Sequence, residues 1–237
     1  MVQDLTLLLI TAASLGFIHT LFGPDHYVPF IVMSKARKWS KNKTMAITAL
    51  CGVGHVLGSI ILGFIGIFLG VVVFRLEAVE AVRGDLAAWS LIIFGFAYLV
   101  WGLHALYTGK EHTHTHLHKD GKKHEHTHKH TAEHEHVHFD DGGKGMTPWI
   151  LFVIFVLGPC EPLIPLLMYP AAVGNLFNVF WVSLVFGLVT VATMTTMVLL
   201  ISKGIDFLPI KKLQKYIHVI SGLMIFLSGM AIVFLGL

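Results

Sequence analysis

An all-α, polytopic membrane fold of six spans is what this sequence predicts, and three observations predict it. The 237 residues are 55% hydrophobic and only 13% charged, about half the charge of an ordinary soluble domain, with a mean hydropathy of +0.73. The apolar residues collect into six runs near the length of about 20 residues that crosses a hydrocarbon core of about 30 Å. Lysine and arginine, 17 in all, concentrate in three alternate connections between those runs. An ordinary soluble enzyme and a disordered chain are both excluded.

The first run covers residues 5–22 and continues past Gly23-Pro24 towards residue 33. The second, 46–74, is long enough to tilt in the bilayer. The third is 86–107, the fourth 148–169, the fifth 176–201 and the sixth 216–235. No basic segment precedes the first run and Asp4 stands before it, so a cleavable signal peptide is not expected.

Basic residues orient such a chain, because short cytoplasmic loops carry the excess of Lys and Arg. Lys35, Arg37, Lys38, Lys41 and Lys43 follow the first span. Lys110, Lys119, Lys122, Lys123, Lys129 and Lys144 follow the third, and Lys203, Lys211, Lys212 and Lys215 follow the fifth. Only Arg75 and Arg83 fall on the other side. Both termini are therefore expected outside a cell membrane, and the net charge of +3 reports topology rather than a nucleic-acid partner.

Two stretches echo one another. The first span ends in Phe22-Gly-Pro-Asp-His-Tyr-Val-Pro29, and the fourth contains Leu157-Gly-Pro-Cys-Glu-Pro-Leu-Ile-Pro165. Proline removes an amide donor and clashes with the carbonyl one turn back, so both helices should open there. Three spans separate the copies, an odd number, which predicts two inverted halves with broken helices at their interface. The expected organisation is a first three-helix repeat at 1–107, a histidine-rich connection at 108–145 and a second repeat at 146–237.

Ionisable groups inside a span are costly and usually mark a pathway or a site. Here they are His19, Asp25, His26, His55 and Glu161, with Cys160 as a soft neighbour. Imidazole and carboxylate donors suit divalent transition metals, so these six are the candidate metal ligands. A histidine in a glycine-rich helix such as Cys51-Gly-Val-Gly-His55 also serves as an ordinary interhelical hydrogen-bonding group, and His55 counts through its companions. His104 and His218 lie near span ends and are left outside the site.

Eleven of the 16 histidines fall in 108–145, alternating with Lys, Glu and Thr. They are His112, His114, His116 and His118, then His124, His126, His128 and His130, then His134, His136 and His138. This composition buries no core, so the segment reads as a disordered cytoplasmic loop that captures metal ions loosely.

His19-Thr-Leu-Phe-Gly-Pro-Asp25-His26 resembles the His-x4-Asp-His signature of the nickel/cobalt transporter superfamily, which includes efflux and urease-accessory membrane proteins. It departs from that signature by one residue, since five separate His19 from Asp25. Gly54-His55 and Gly158-Pro159-Cys160-Glu161-Pro162 resemble further short motifs of the same group. The resemblance implies a secondary transporter of divalent ions, nickel or cobalt before zinc or iron. Its motifs do not set the direction, and export is favoured over import because a cytoplasmic histidine loop can collect ions for removal. No permanently bound cofactor is expected. The expected partners are the ion, the bilayer, and a second copy of the chain or a metallochaperone.

A different class stays open beside it. Two cysteines, Cys51 and Cys160, in opposite halves resemble the six-span thiol–disulfide electron carriers of cytochrome maturation. A metal sensor with the spans as an anchor is a third reading, but it leaves the paired breaks without a purpose. No nucleotide-binding loop or hydrolytic triad appears, so neither an enzyme nor an ATP-driven pump is expected.

Overall fold

Helices account for the whole membrane body. The structure, a computed structural model, describes residues 2–71, 73–108, 112–117, 123–128, 143–206 and 210–235. Helix α1 (Val2–Phe22) runs into a short 3₁₀ turn at Pro24–His26 and then α2 (Val28–Ala36). Next come α3 (Lys41–Phe68) and α4 (Val73–Tyr107). A ribbon of β1 (His112–Leu117) and β2 (Lys123–His128) precedes α5 (Gly143–Leu157) and α6 (Leu163–Ala172). The chain ends with α7 (Leu176–Asp206), a 3₁₀ turn at Ile210–Tyr216 and α8 (Ile217–Leu235).

Among the described residues five helices, α1, α3, α4, α7 and α8, are long and apolar enough to cross a membrane. The segment expected as the fourth span is instead two shorter apolar helices, α5 and α6, parted at Gly158–Pro162 for the reason proline supplies. The third span also begins earlier than its apolar run: α4 starts at Val73, because Glu80 and Arg83 pair with one another and need not face water. Large apolar side chains such as Phe17, Phe68, Trp149 and Phe177 stand exposed around the outside, a surface that lipid solvates and water does not. The protein is a multi-pass integral membrane protein.

Local chemistry sets the element ends. Ser40 caps α3, its hydroxyl accepting the Lys43 amide, and the Asn175 side chain accepts the Asn178 amide at the start of α7, each satisfying an orphan donor of a first turn. Gly70 turns the chain between α3 and α4 at φ +64°, a conformation that side chains resist.

Packing divides into two cores. One gathers Phe30, Met33, Cys51, Leu151, Phe155 and Met194 around α2, α3, α5 and α7. The other gathers Val56, Cys160, Leu163, Leu167, Val182 and Phe186 around α3, α6 and α7. Small residues let the helices touch: a Cβ added at Gly95 would collide with the Phe226 backbone, and one at Gly222 with that of Leu99. That close approach of α4 and α8 is the usual membrane solution where apolar burial alone gives no drive.

Two stretches of the histidine connection are described. These strands pair antiparallel, with His112 opposite His128, His114 opposite His126 and His116 opposite His124. Strict alternation is itself a strand period. His118, His130, His134, His136 and His138 lie outside the described residues.

Candidate functional site

The two helix breaks and one face of α3 meet. At the first break Pro24 has no amide to offer the preceding turn, and the chain closes into a 3₁₀ turn in which the His26 amide donates to Gly23 O at 3.1 Å. The Tyr27 hydroxyl donates to Leu21 O at 3.3 Å, replacing a helical donor lost to the turn. This turn tips His26 inwards, where it is 3% exposed. Gly23 is obligatory here, since a Cβ would lie 2.5 Å from His26 Nδ1 and 2.9 Å from Asp25 Oδ1.

His26 Nδ1 lies 3.2 Å from both Gly23 O and Asp25 Oδ1. Both are acceptors, so Nδ1 carries the proton and Nε2 keeps its lone pair. The same logic holds for His55, whose Nδ1 donates to Phe155 O at 3.1 Å. His19 completes the group from the last turn of α1. Its ring meets His26 edge to face at 4.8 Å between centroids, and His26 meets His55 likewise at 5.0 Å.

One ligand atom from each of the three histidines lies within 4.8 Å of the others. Their Nε2 atoms are buried and have no hydrogen-bond partner. Three orphaned imidazole nitrogens in one place are expensive unless something accepts their lone pairs. A tetrahedral ion with metal–nitrogen bonds of about 2.0–2.1 Å would draw them to roughly 3.4 Å apart, a contraction that side-chain rotation can supply. Asp25 stands behind His26 rather than among the three, where a carboxylate fixes the ring and its tautomer. A cavity of about 30 Å³ opens beside Asp25 and His55.

The second break is healed from a distance. Pro159 cannot bond Phe155 O, which instead accepts the Gly158 amide at 3.1 Å and His55 Nδ1. The Cys160 amide donates to Ser59 Oγ at 3.1 Å instead of to its own helix. Val156 O, left free by that change, accepts Arg83 Nη2 at 2.8 Å. Arg83 is ion-paired with Glu80, and Ser59 donates to Glu80 Oε2 at 3.1 Å. Gly158 leaves room for the ring, because a Cβ there would lie 2.9 Å from His55 Nδ1.

Of the six expected ligands, then, three gather and Asp25 supports them. Cys160 is fully buried in the second core, and Glu161 is exposed beside a cavity of about 500 Å³ with Glu77 and Glu80. Neither belongs to the three-histidine group. The sequence reading missed Ser59, Glu80 and Arg83, assigning the last two to a loop. The signal was there: an acid and a base three apart, one helical turn, beside an apolar run.

Comparison with known proteins corrects the sequence reading further. Residues 28–234 match the family described as the cytochrome c biogenesis protein transmembrane region. No curated protein and no solved structure matches the chain. The match overturns the resemblance to the nickel/cobalt transporter superfamily, and with it the reading as a transporter of those ions. That resemblance rested on three short stretches, the first of which, 19–26, precedes the matched region, whereas the match spans α2 to α8. The chain belongs to the cytochrome c biogenesis transmembrane family.

Proposed function

We propose that the protein carries reducing equivalents through the membrane by thiol–disulfide exchange, with Cys51 and Cys160 as its thiols. The observation that carries this reading is the family match, which encloses both cysteines. Both are free and buried, one in each core. In the exchange, one thiolate attacks a partner disulfide, forming a mixed disulfide and releasing a partner thiolate. The second cysteine resolves it, leaving Cys51–Cys160 oxidised and the partner reduced by two electrons. A disulfide needs alpha carbons within about 7 Å. Cys51 lies two turns, roughly 12 Å, along α3 from Ser59, which holds Cys160. The exchange therefore calls for segment 158–162 to travel along α3.

The test is trapping of thiol states in membranes with a mass-adding alkylating reagent. Wild type should cycle between two free thiols and none, and Cys51→Ser should accumulate a mixed disulfide at Cys160. Two free thiols under every redox condition would end the reading.

A second reading rests on the three orphaned Nε2 atoms. His19, His26 and His55 hold a resident transition-metal ion, with Asp25 orienting His26. Three neutral imidazoles suit zinc, copper, iron or nickel, and the ion is bound within the fold rather than passed through it. After a weak-chelator wash, purified wild type should retain one more metal ion per chain than His26→Ala or His55→Ala. Equal retention would remove the site.

The basic residues support a finer topology, with both termini outside and 108–145 in the cytoplasm. The paired breaks support an inverted arrangement of 1–107 and 146–237.

A further inference from the structure

Away from the histidines, α2, α3 and α7 meet around a cavity of about 170 Å³ at the lysine-rich end of the bundle. Lys35, Lys41 and Lys203 line it against a single carboxylate, Asp206. Lys35 is ion-paired with Asp206 and donates to Ser202 O at 3.4 Å. Lys41 and Lys203 are exposed, so the cavity holds an excess of two positive charges. The amino end of α3 opens onto it and adds the positive pole of a 28-residue helix.

A second observation points to a ligand. Ser202 Oγ, which lines the same cavity, is buried without a hydrogen-bond partner. It is a hydroxyl without an acceptor beside a positively charged space, which suits an anionic oxygen. Met45, Leu199 and Trp39, each part-exposed, add apolar surface to the lining. Free phosphate has no use for apolar surface, whereas an amphiphile uses both surfaces.

We propose that this cavity binds the phosphate of an anionic phospholipid, with Lys41, Lys203 and Ser202 on the headgroup and Met45 and Leu199 along the first part of an acyl chain. Basic recesses between membrane helices recognise anionic headgroups in this manner. The headgroup would tie α3 to α7 as the Lys35–Asp206 pair ties α2 to α7.

The full chain in detergent is titrated with phosphatidylglycerol, phosphatidylcholine or inorganic phosphate, and retained ligand is counted by native mass spectrometry. Phosphatidylglycerol should saturate one site, with phosphatidylcholine at least tenfold weaker and phosphate unable to compete. Lys41→Ala with Lys203→Ala should weaken phosphatidylglycerol tenfold or more. Ser202→Ala should weaken it several-fold, and Lys215→Ala, outside the cavity, should leave it within twofold. Equal retention of the two lipids, competition by phosphate, or a loss in Lys215→Ala matching the double variant would each overturn the proposal. Both lysines are exposed, so their removal leaves the packed core intact.

Discussion

The two helix breaks begin from the same dipeptide and are repaired in opposite ways. At Gly23-Pro24 the repair is local: a 3₁₀ turn, the Gly23 carbonyl and the Tyr27 hydroxyl all come from within six residues of the break. At Gly158-Pro159 it is imported, with His55 and Ser59 reaching from α3 and Arg83 from α4. The first break therefore presents the His26 imidazole, and the second serves as a frame. Its Phe155 carbonyl, shared with the Gly158 amide, orients His55, so a defect in one helix becomes the orienting contact of another.

The largest expected effect follows from the imported repair. Arg83→Ala leaves Glu80, 1% exposed, as an unpaired buried carboxylate and frees Val156 O. Removing one partner of a buried ion pair costs about 3–5 kcal/mol, which should appear as a marked fall in the unfolding midpoint in detergent. Arg83→Lys should recover part of it, restoring charge but not the fork that reaches two groups at once. An Arg83→Ala midpoint equal to wild type would show that the second break stands without α4.

Next in size is the carboxylate behind the first break. Asp25→Asn keeps the shape of the turn but removes the charge beside His26 Nδ1. Loss of such a supporting group lowers metal affinity roughly 10–100-fold. Gly158→Ala tests the corresponding support at the second break, since the added methyl displaces His55. Competition with a chromophoric chelator measures both. If Asp25→Asn binds metal as wild type does, the carboxylate plays no part in orienting the ring.

These effects track what was legible in the sequence. Gly-Pro dipeptides announce both breaks, and His19 and His26 sit next to the first, so local chemistry was readable there. His55 was readable only through its companions. Glu80 and Arg83 were not, because their meaning depends on Val156 and Cys160, more than 70 residues away, and periodicity carries no such information. Hydropathy located the spans and counted α5 and α6 as one, while the Gly158-Pro159 dipeptide already marked where that span opens. The metal-transporter reading failed for a related reason. A few ligand residues resemble many sites, whereas family membership rests on a pattern spread over α2 to α8.

The smallest effect belongs to Tyr27. Its hydroxyl makes a long bond, 3.3 Å to Leu21 O, at a half-buried position, and the rest of the first break's repair is backbone. Tyr27→Phe keeps the ring and loses one neutral hydrogen bond, which is worth about 0.5–1.5 kcal/mol. Its midpoint should therefore fall by half or less of the Arg83→Ala shift, with metal retention unchanged because the His26 contacts to Gly23 and Asp25 persist. A Tyr27→Phe loss as large as that of Arg83→Ala would mean that the first break also depends on a single side chain. The contrast between a locally closed turn and an imported frame would then be wrong.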